Sequence, residues 1–117
     1  MLKAAAPALV DERVTTGEFD RVFELAAETS RVMSAPTRLK IISHLCAGEK
    51  SVRELLELVH TTQPNISQHL NTLYKAGIVG RRREGIQIYY RITNDRVVAL
   101  CRTLCGAIAS EAGIPHP

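Results

Sequence analysis

Apolar positions in the first part of the chain recur every three or four residues, which is the spacing typical of α-helices. From Gly17 this spacing predicts a first helix that runs to about Met33. Pro36 lies just inside the next helical segment, with Ser34 in its N-cap region, and Gly48 stops that segment. The apolar face of this second helix is expected to consist of Leu39, Ile42 and Cys46.

Two further short helices follow, with about two residues between them at 60–61. Ser51 and Glu54 have the spacing of a capping box, which predicts a third helix that begins directly after Ser51. Thr62 is the expected N-cap of a fourth helix, which Gly77 closes. The narrow apolar stripe of this fourth helix consists of Ile66, Leu70 and Leu73.

After Gly77 the period of the pattern changes to two, which indicates β-strands. Two strands joined by a turn at Glu84 and Gly85 are expected, with Ile86, Ile88, Tyr90 and Ile92 on the inward face of the second strand. A last helix begins near Asn94 and runs to about Glu111. Its apolar stripe consists of Val97, Cys101, Leu104 and Ile108.

The order of elements is therefore four helices, a hairpin and a helix, without repeats or linkers. This order predicts one mainly α-helical domain with a β-hairpin wing over residues 17–112. A flexible arm is expected at residues 1–16 and a tail at residues 113–117.

Length and composition are those of one globular domain. The chain has 117 residues, of which 45% are apolar and 23% charged, close to the averages of globular proteins. No apolar run approaches the roughly 20 residues of a membrane helix, and Pro7, Asp11 and Glu12 interrupt the N-terminal apolar stretch, which is a poor signal peptide. A cytoplasmic protein without membrane contact is expected.

The net charge of +3 is unevenly distributed along the chain. Residues 1–30 carry three basic and six acidic side chains, whereas residues 31–117 carry twelve basic and six acidic ones. A body with a net charge of +6 suits the binding of a polyanion such as nucleic acid.

Two short helices joined by a tight turn and followed by a hairpin form a winged helix-turn-helix, whose second helix fits the DNA major groove. At about 100° per residue, the outward face of this helix is rich in amides, which can bond adenine in a bidentate manner. Its N-terminus and the hairpin arginines can contact phosphates, and the arginines can also enter a minor groove. The predicted DNA-binding residues are Thr62, Gln63, Asn65, Ser67, Gln68, His69, Asn71, Lys75, Arg81, Arg82 and Arg83.

His69 lies at the edge of this helix, where packing or a phosphate contact is expected rather than metal binding. The apolar stripe of the last helix needs a partner surface, which a second copy of the chain would supply. Two recognition helices about 34–36 Å apart would then meet successive major grooves of an inverted-repeat operator in double-stranded DNA. The alternative is that the last helix folds back on its own domain.

Three cysteines in a cytoplasmic chain indicate free thiols, a soft-metal site or a redox site. Cys101 and Cys105 are four residues apart on the last helix, so their Cβ atoms are about 5–6 Å apart. A disulfide needs about 3.5–4.5 Å, but two sulfurs at this spacing can converge on one soft ion such as As(III) or Sb(III). Zinc would need additional ligands. Alternatively, the cysteines are small apolar core residues.

The segments SAPTRLKIISHL, TTQPNISQHLNTLYKAGIVGRRREG and IYYRI resemble the ArsR/SmtB family of small dimeric winged-helix repressors. The resemblance covers roughly residues 19–110. It implies that the recognition helix starts at Thr62 and that the wing extends from Arg81 to Ile92. It also implies dimerisation through the first and last helices, DNA binding without a cofactor, and release of DNA on effector binding.

Two effector sites of similar proteins are absent from this sequence. The Cys-Val-Cys pattern of one arsenic site is replaced by residues 51–55, SVREL, and of the Asp and His ligands of a zinc site only Asp95 has a match. The pair Cys101 and Cys105 is similar to a branch that senses arsenite or antimonite through Cys-x-x-x-Cys in the last helix. This similarity implies As(III) or Sb(III) as effector, with Cys46 as a third candidate ligand.

Two other functions are open, and an enzyme is not expected. Reactive-sulfur sensors of the family use one cysteine on the second helix and one on the last, so Cys46 with Cys101 or Cys105 would form a persulfide or redox switch, although the positions differ by about one turn. A winged helix that only contacts proteins, with structural cysteines, is the other alternative. Cys46 and His44 point in different directions on their helix and do not form a nucleophile–base pair.

Overall fold

The computed structural model describes residues 16–116. These residues form, in chain order, α1 (Thr16–Met33), α2 (Pro36–Leu45), β1 (Lys50–Ser51), α3 (Val52–Val59), α4 (Gln63–Lys75), β2 (Val79–Glu84), β3 (Gln87–Ile92) and α5 (Asp95–Glu111). The predicted mainly helical fold with a hairpin wing is thereby confirmed, and the short strand β1 is an addition that the sequence pattern does not predict.

The predicted arm lies outside the described residues except for Thr16, which is the first residue of α1, and Pro117 of the predicted tail also lies outside them. Within residues 16–116, no helix combines the length and the apolar character needed to cross a membrane. The chain divides into two compact units, Met1–Arg31 and Val32–Pro117, which are described separately.

In the first unit, α1 is held by contacts between neighbouring turns. Arg21 bonds Glu24 at 3.3 Å and Arg31 bonds Glu28, in both cases three residues apart along the helix. The apolar side chains of this stretch are largely exposed, with Val22 at 49% of its maximal accessible area. An exposed apolar helix face of this kind is suited to contact with another surface.

The second unit is organised around one apolar core to which α2, α3, α4, β2, β3 and α5 all contribute. The predicted stripe of α4 is confirmed, because Ile66, Leu70 and Leu73 are each completely buried. Burial of such a side chain contributes about 1.5–3 kcal/mol to folding. The largest fully buried side chains are Ile41, Ile42, Leu55, Ile66, Leu70, Leu73, Ile78 and Val97.

The face predicted for α2 is only partly correct. Ile42 is buried as expected, but the other buried residues are Ile41 and Leu45, whereas Leu39 and Cys46 are half-buried. The reason is that α2 contacts α3, α4, α5 and β3, so it buries a wider face than a helix that packs on one neighbour.

A side-chain cap marks the start of α3, α4 and α5. Ser51 and Glu54 form the predicted capping box, with the Ser51 Oγ accepting from the Glu54 N–H at 3.1 Å and the Glu54 Oε1 accepting from the Ser51 N–H at 3.0 Å. The Thr62 side chain caps α4 and the Asn94 side chain caps α5, each by accepting a hydrogen bond from a backbone N–H in the first turn. The N-cap of α2 is Ala35 instead of Ser34, and Pro36 follows as the first helical residue.

The sheet is antiparallel, with β3 in the middle between β1 and β2. Glu84 pairs with Gln87, so the turn consists of Gly85 and Ile86 and lies one residue later than predicted. The expectation that Ile86 faces inward is wrong, because this turn residue is 95% exposed. Gly85 adopts a φ of 63°, a left-handed conformation that glycine tolerates without strain.

We expect Ser51→Ala to lower the free energy of unfolding by about 0.5–2 kcal/mol, because the first turn of α3 loses its cap. Urea denaturation followed by circular dichroism at one fixed protein concentration measures this effect. Ser43→Ala, which changes an exposed serine inside α2, is the matched control and should shift stability by less than about 0.5 kcal/mol. Equal effects of the two substitutions would contradict the capping role.

Candidate nucleic-acid interface and thiol pocket

The side of α4 opposite its buried stripe is polar and exposed. The exposed polar side chains on this helix and its N-cap that were predicted to bind DNA are Thr62, Gln63, Ser67, Gln68, Asn71 and Lys75, and Pro64 and Tyr74 are exposed as well. Asn65 and His69 are half-buried on its flank. All of the residues predicted to bind DNA on α4 and its N-cap are therefore exposed or half-buried, and none of them belongs to the core.

Two of the predicted residues organise the start of α4. The Thr62 side chain accepts a hydrogen bond from the Asn65 backbone N–H at 3.3 Å. The Asn65 amide donates to the Thr61 hydroxyl at 2.7 Å, which ties the helix to the preceding turn. His60 completes that turn in a left-handed conformation with φ 56°. These contacts fix the direction in which α4 leaves α3.

The three arginines of β2 have different surroundings. Arg82 bonds both oxygens of Glu49 at 2.7–3.1 Å and Glu84 at 2.6 Å, and it lies over the Tyr89 ring. These bonds raise the pKa of Arg82, and the bond from Arg82 lowers the pKa of Glu49. The charge of Arg82 is therefore largely compensated inside the molecule.

Arg81 and Arg83 carry the rest of the positive charge of β2. Arg81 lies over the Tyr74 ring, 4.0 Å from its centre, a cation–π contact that joins the wing to the end of α4. Arg83 is exposed, and within residues 16–116 it forms no ion pair. Among the three arginines of β2, Arg83 is consequently the one whose charge is most available to a phosphate.

Arg38 joins the first turn of α2 to α4. Its Nε donates to the Nδ1 of His69 at 3.1 Å, and its Nη1 donates to the backbone oxygen of Val32 at 2.6 Å. Burial and the nearby Arg38 charge lower the pKa of His69. Sequence reasoning missed Arg38, since a single arginine on a helix follows no pattern that indicates a distant partner.

The two cysteines of α5 face each other as their spacing predicts. Their sulfur atoms are 4.0 Å apart, well beyond the about 2.05 Å of a disulfide bond. Cys101 is buried and Cys105 is exposed. Burial, together with the neighbouring Cys105, raises the pKa of Cys101 to about 11. Cys105 is therefore the more accessible thiol of the pair.

Cys46 lines the same pocket as the cysteine pair. The pocket has a volume of about 600 Å³ and opens between the end of α2 and the middle of α5. Burial raises the pKa of Cys46, and the Arg102 charge partly offsets this effect. Within residues 16–116, no three Cys, His, Asp or Glu side chains are arranged to hold a metal ion. The thiols and the principal polar side chains of the pocket are Ser43, Cys46, Cys101, Arg102, Cys105 and His116.

Comparison with known proteins matches the part of the chain that contains α2, α3 and α4. The sequence model described as "Bacterial regulatory protein, arsR family" matches residues 35–80. The transcriptional repressor SmtB of Mycobacterium tuberculosis is 36% identical over 76 residues, which are 65% of this chain and 56% of the relative. The chain thus spans just over half the length of the first curated relatives that it matches.

Solved structures of similar proteins share the fold. The transcriptional repressor BigR from Xylella fastidiosa has a TM-score of 0.72 and 34% identity, over 78% of this chain and 93% of that chain. A homodimeric winged helix-turn-helix DNA-binding domain from Mycobacterium bovis has a TM-score of 0.67 and 26% identity, over 84% and 90% of the two chains. The identity and coverage of the first structure, with the matched family model, show that the chain belongs to the ArsR family of bacterial regulatory proteins.

Proposed function

We propose that the protein is a transcriptional repressor that binds double-stranded DNA through α4. The observation that carries this proposal is the division of α4 into a completely buried stripe and an exposed, amide-rich opposite face. Amide side chains on an exposed helix provide the donors and acceptors that read base edges in a major groove. Regulatory proteins form the family, which confirms the prediction that the chain is not an enzyme.

Binding as a homodimer to an inverted repeat is part of this proposal. The predicted stripe of α5 divides in two: Val97 and Cys101 are buried in the chain's own core, whereas Leu104 and Ile108 are 50% and 56% exposed. The first half of α5 thus packs on its own domain and the second half offers an apolar surface to a partner. The homodimeric structural neighbour supports a second copy as that partner.

The proposed effector is a trivalent metalloid, As(III) or Sb(III), bound by Cys101 and Cys105. As(III) and Sb(III) carry a lone pair and bind thiolates at the base of a pyramid, and two sulfurs that are 4.0 Å apart on one helix face need only a modest approach to contact one such ion. With arsenite, As(OH)₃, two As–S bonds would replace two As–O bonds, and the thiol protons would leave with the hydroxyls as water. Soft thiolates favour such soft ions.

A persulfide or redox switch is the second candidate, and the shared pocket favours it. Cys46 from the end of α2 lines the same pocket as the α5 pair, which brings together thiols from the two helices that such a switch requires. Cys105 is exposed, so its thiolate can attack an electrophilic sulfur atom of another molecule. Burial raises the pKa of Cys46, and a neutral thiol is a poor nucleophile, which counts against a switch that begins at Cys46.

In either mechanism α2 is the element between effector and DNA. Its C-terminal end contributes Cys46 to the pocket, and the helix contacts both α4 and α5. We propose that occupation of the pocket shifts α5 against α2 and against the partner copy, so that the two recognition helices no longer match the groove spacing. A coupling of about 1–3 kcal/mol would weaken DNA binding about 5–150-fold.

Cysteine variants test the effector site. After arsenite treatment of the reduced protein, we expect intact mass spectrometry to detect one bound arsenic per chain in the wild type and in Cys46→Ser, and none in Cys101→Ser or Cys105→Ser. Both α5 variants should still bind operator DNA. Retention of arsenic by both of them would contradict the site. Sulfur added by polysulfide together with no retained arsenic would favour the second candidate.

Wing variants test the division of charge among the arginines. Arg83→Gln should reduce the salt dependence of DNA binding by about one ion per chain, because one phosphate contact is lost. Glu49→Gln/Arg82→Gln, which removes both partners of the ion pair, should leave that slope nearly unchanged. Fluorescence anisotropy across a salt series measures both slopes on one promoter fragment. A larger change in the double variant than in Arg83→Gln would contradict the assignment of the phosphate contact to Arg83. If the wild-type protein formed no specific DNA complex, a winged helix that only contacts proteins would be favoured.

A further inference from the structure

We infer that Arg38 is a positioning residue for DNA binding: it holds His69 in the tautomer that carries its proton on Nε2, and so provides an N–H donor for a phosphate beside the groove. This inference rests on the proposed DNA-binding function. The contact between Arg38 and His69 joins two helices at residues 31 positions apart in the chain.

The tautomer follows from the chemistry of the two side chains. A guanidinium group can only donate hydrogen bonds, since it has no acceptor atom. The Arg38 Nε donates to the His69 Nδ1 at 3.1 Å, so Nδ1 must present its lone pair and carry no proton. In a neutral imidazole the proton is then on Nε2.

The orientation of Arg38 is itself fixed from the other side. Its Nη1 donates at 2.6 Å to the backbone oxygen of Val32, in the last turn of α1. Carbonyl groups in the last turn of a helix lack an intrahelical partner, so Val32 offers a free acceptor at this position. With one nitrogen held by the backbone, the guanidinium group keeps its Nε directed at the imidazole.

The Nε2 of His69 is accessible from outside. Among the side chains of residues 16–116, every buried nitrogen or oxygen has a hydrogen-bond partner. In the same part of the chain, the only hydrogen bond of His69 is the one that it accepts on Nδ1. If Nε2 were buried, it would be a nitrogen without a partner, and these residues contain none. The Nε2 of half-buried His69 is therefore exposed to solvent.

The place of His69 on α4 indicates what this donor contacts. His69 lies on the flank of the helix, on the same side as Asn65 and Thr72 and between the buried stripe and the outward face. A helix in the major groove presents its outward face to base edges and its flanks to the sugar–phosphate backbone. Because the imidazole is neutral, its contact adds affinity without neutralising a phosphate charge.

The tautomer can be tested without DNA. In the ¹⁵N-labelled protein, long-range proton–nitrogen correlation spectra distinguish a bare imidazole nitrogen from a protonated one, and His69→Asn assigns the signals. We expect a bare Nδ1 and a protonated Nε2 in the wild type, and a mixture of tautomers in Arg38→Met. A protonated Nδ1 in the wild type, or an unchanged tautomer in Arg38→Met, would overturn the inference.

Two matched substitutions at His69 then test the donor itself. A glutamine amide nitrogen lies near the position of Nε2, whereas an asparagine oxygen lies near that of Nδ1. We expect His69→Gln to retain operator affinity within about twofold, and His69→Asn and Arg38→Met each to lose about 3- to 10-fold per bound chain, the size of one neutral hydrogen bond. The salt slope should not change in any of them, and adding Arg38→Met to His69→Asn should cause no further loss.

The controls separate this inference from the proposed function. Circular dichroism and the oligomeric state of each variant report whether it folds as the wild type does. Wild-type protein that forms no specific complex would contradict the repressor function, while the tautomer measurement would still stand. Operator binding that is equal in His69→Asn and in the wild type would overturn the role of Nε2.

Discussion

The proposed DNA-binding surface depends on the burial of three side chains of α4, Ile66, Leu70 and Leu73, in the core of the second unit. This stripe is narrow, so it sets the rotation of the helix about its axis and leaves the amide-rich face outside. The Thr62 cap and the tight turn at His60 set the direction of the helix in addition. Together these contacts hold α4 rigidly, and its polar residues are not needed for packing in the core. They are therefore free to contact base edges from a rigid element, as sequence recognition in a DNA groove requires.

Helix α2 relates the other parts of the molecule to this one. At its first turn Arg38 contacts α4, and at its C-cap Cys46 lines the thiol pocket with the pair on α5. A short helix buried on several sides moves as a unit, because close packing transmits a shift at one end to the other. The thiol pocket and α4 are therefore linked by a single helix, α2, and not by a chain of flexible loops.

Local features of the fold could be predicted from the sequence. The capping box at Ser51, the stripe of α4 and the facing thiols of α5 depend on residues within one or two helical turns. Contacts between distant segments could not: the strand β1, the bonds from Arg82 to Glu49 and the bond from Arg38 to His69 join residues more than thirty positions apart. The inward place predicted for Ile86 was wrong, since alternation gives the period of a strand but not the residue at which the turn begins.

The central claim is that the thiol pocket and the groove-reading surface bind their ligands at each other's expense. Linkage requires that two coupled ligands weaken each other by the same factor. The most direct measurement is therefore the dissociation constant for arsenite, determined by calorimetry with the free reduced protein and with the protein saturated by operator DNA. The account predicts about 5–150-fold weaker arsenite binding in the DNA complex. Equal dissociation constants in the two states would contradict it.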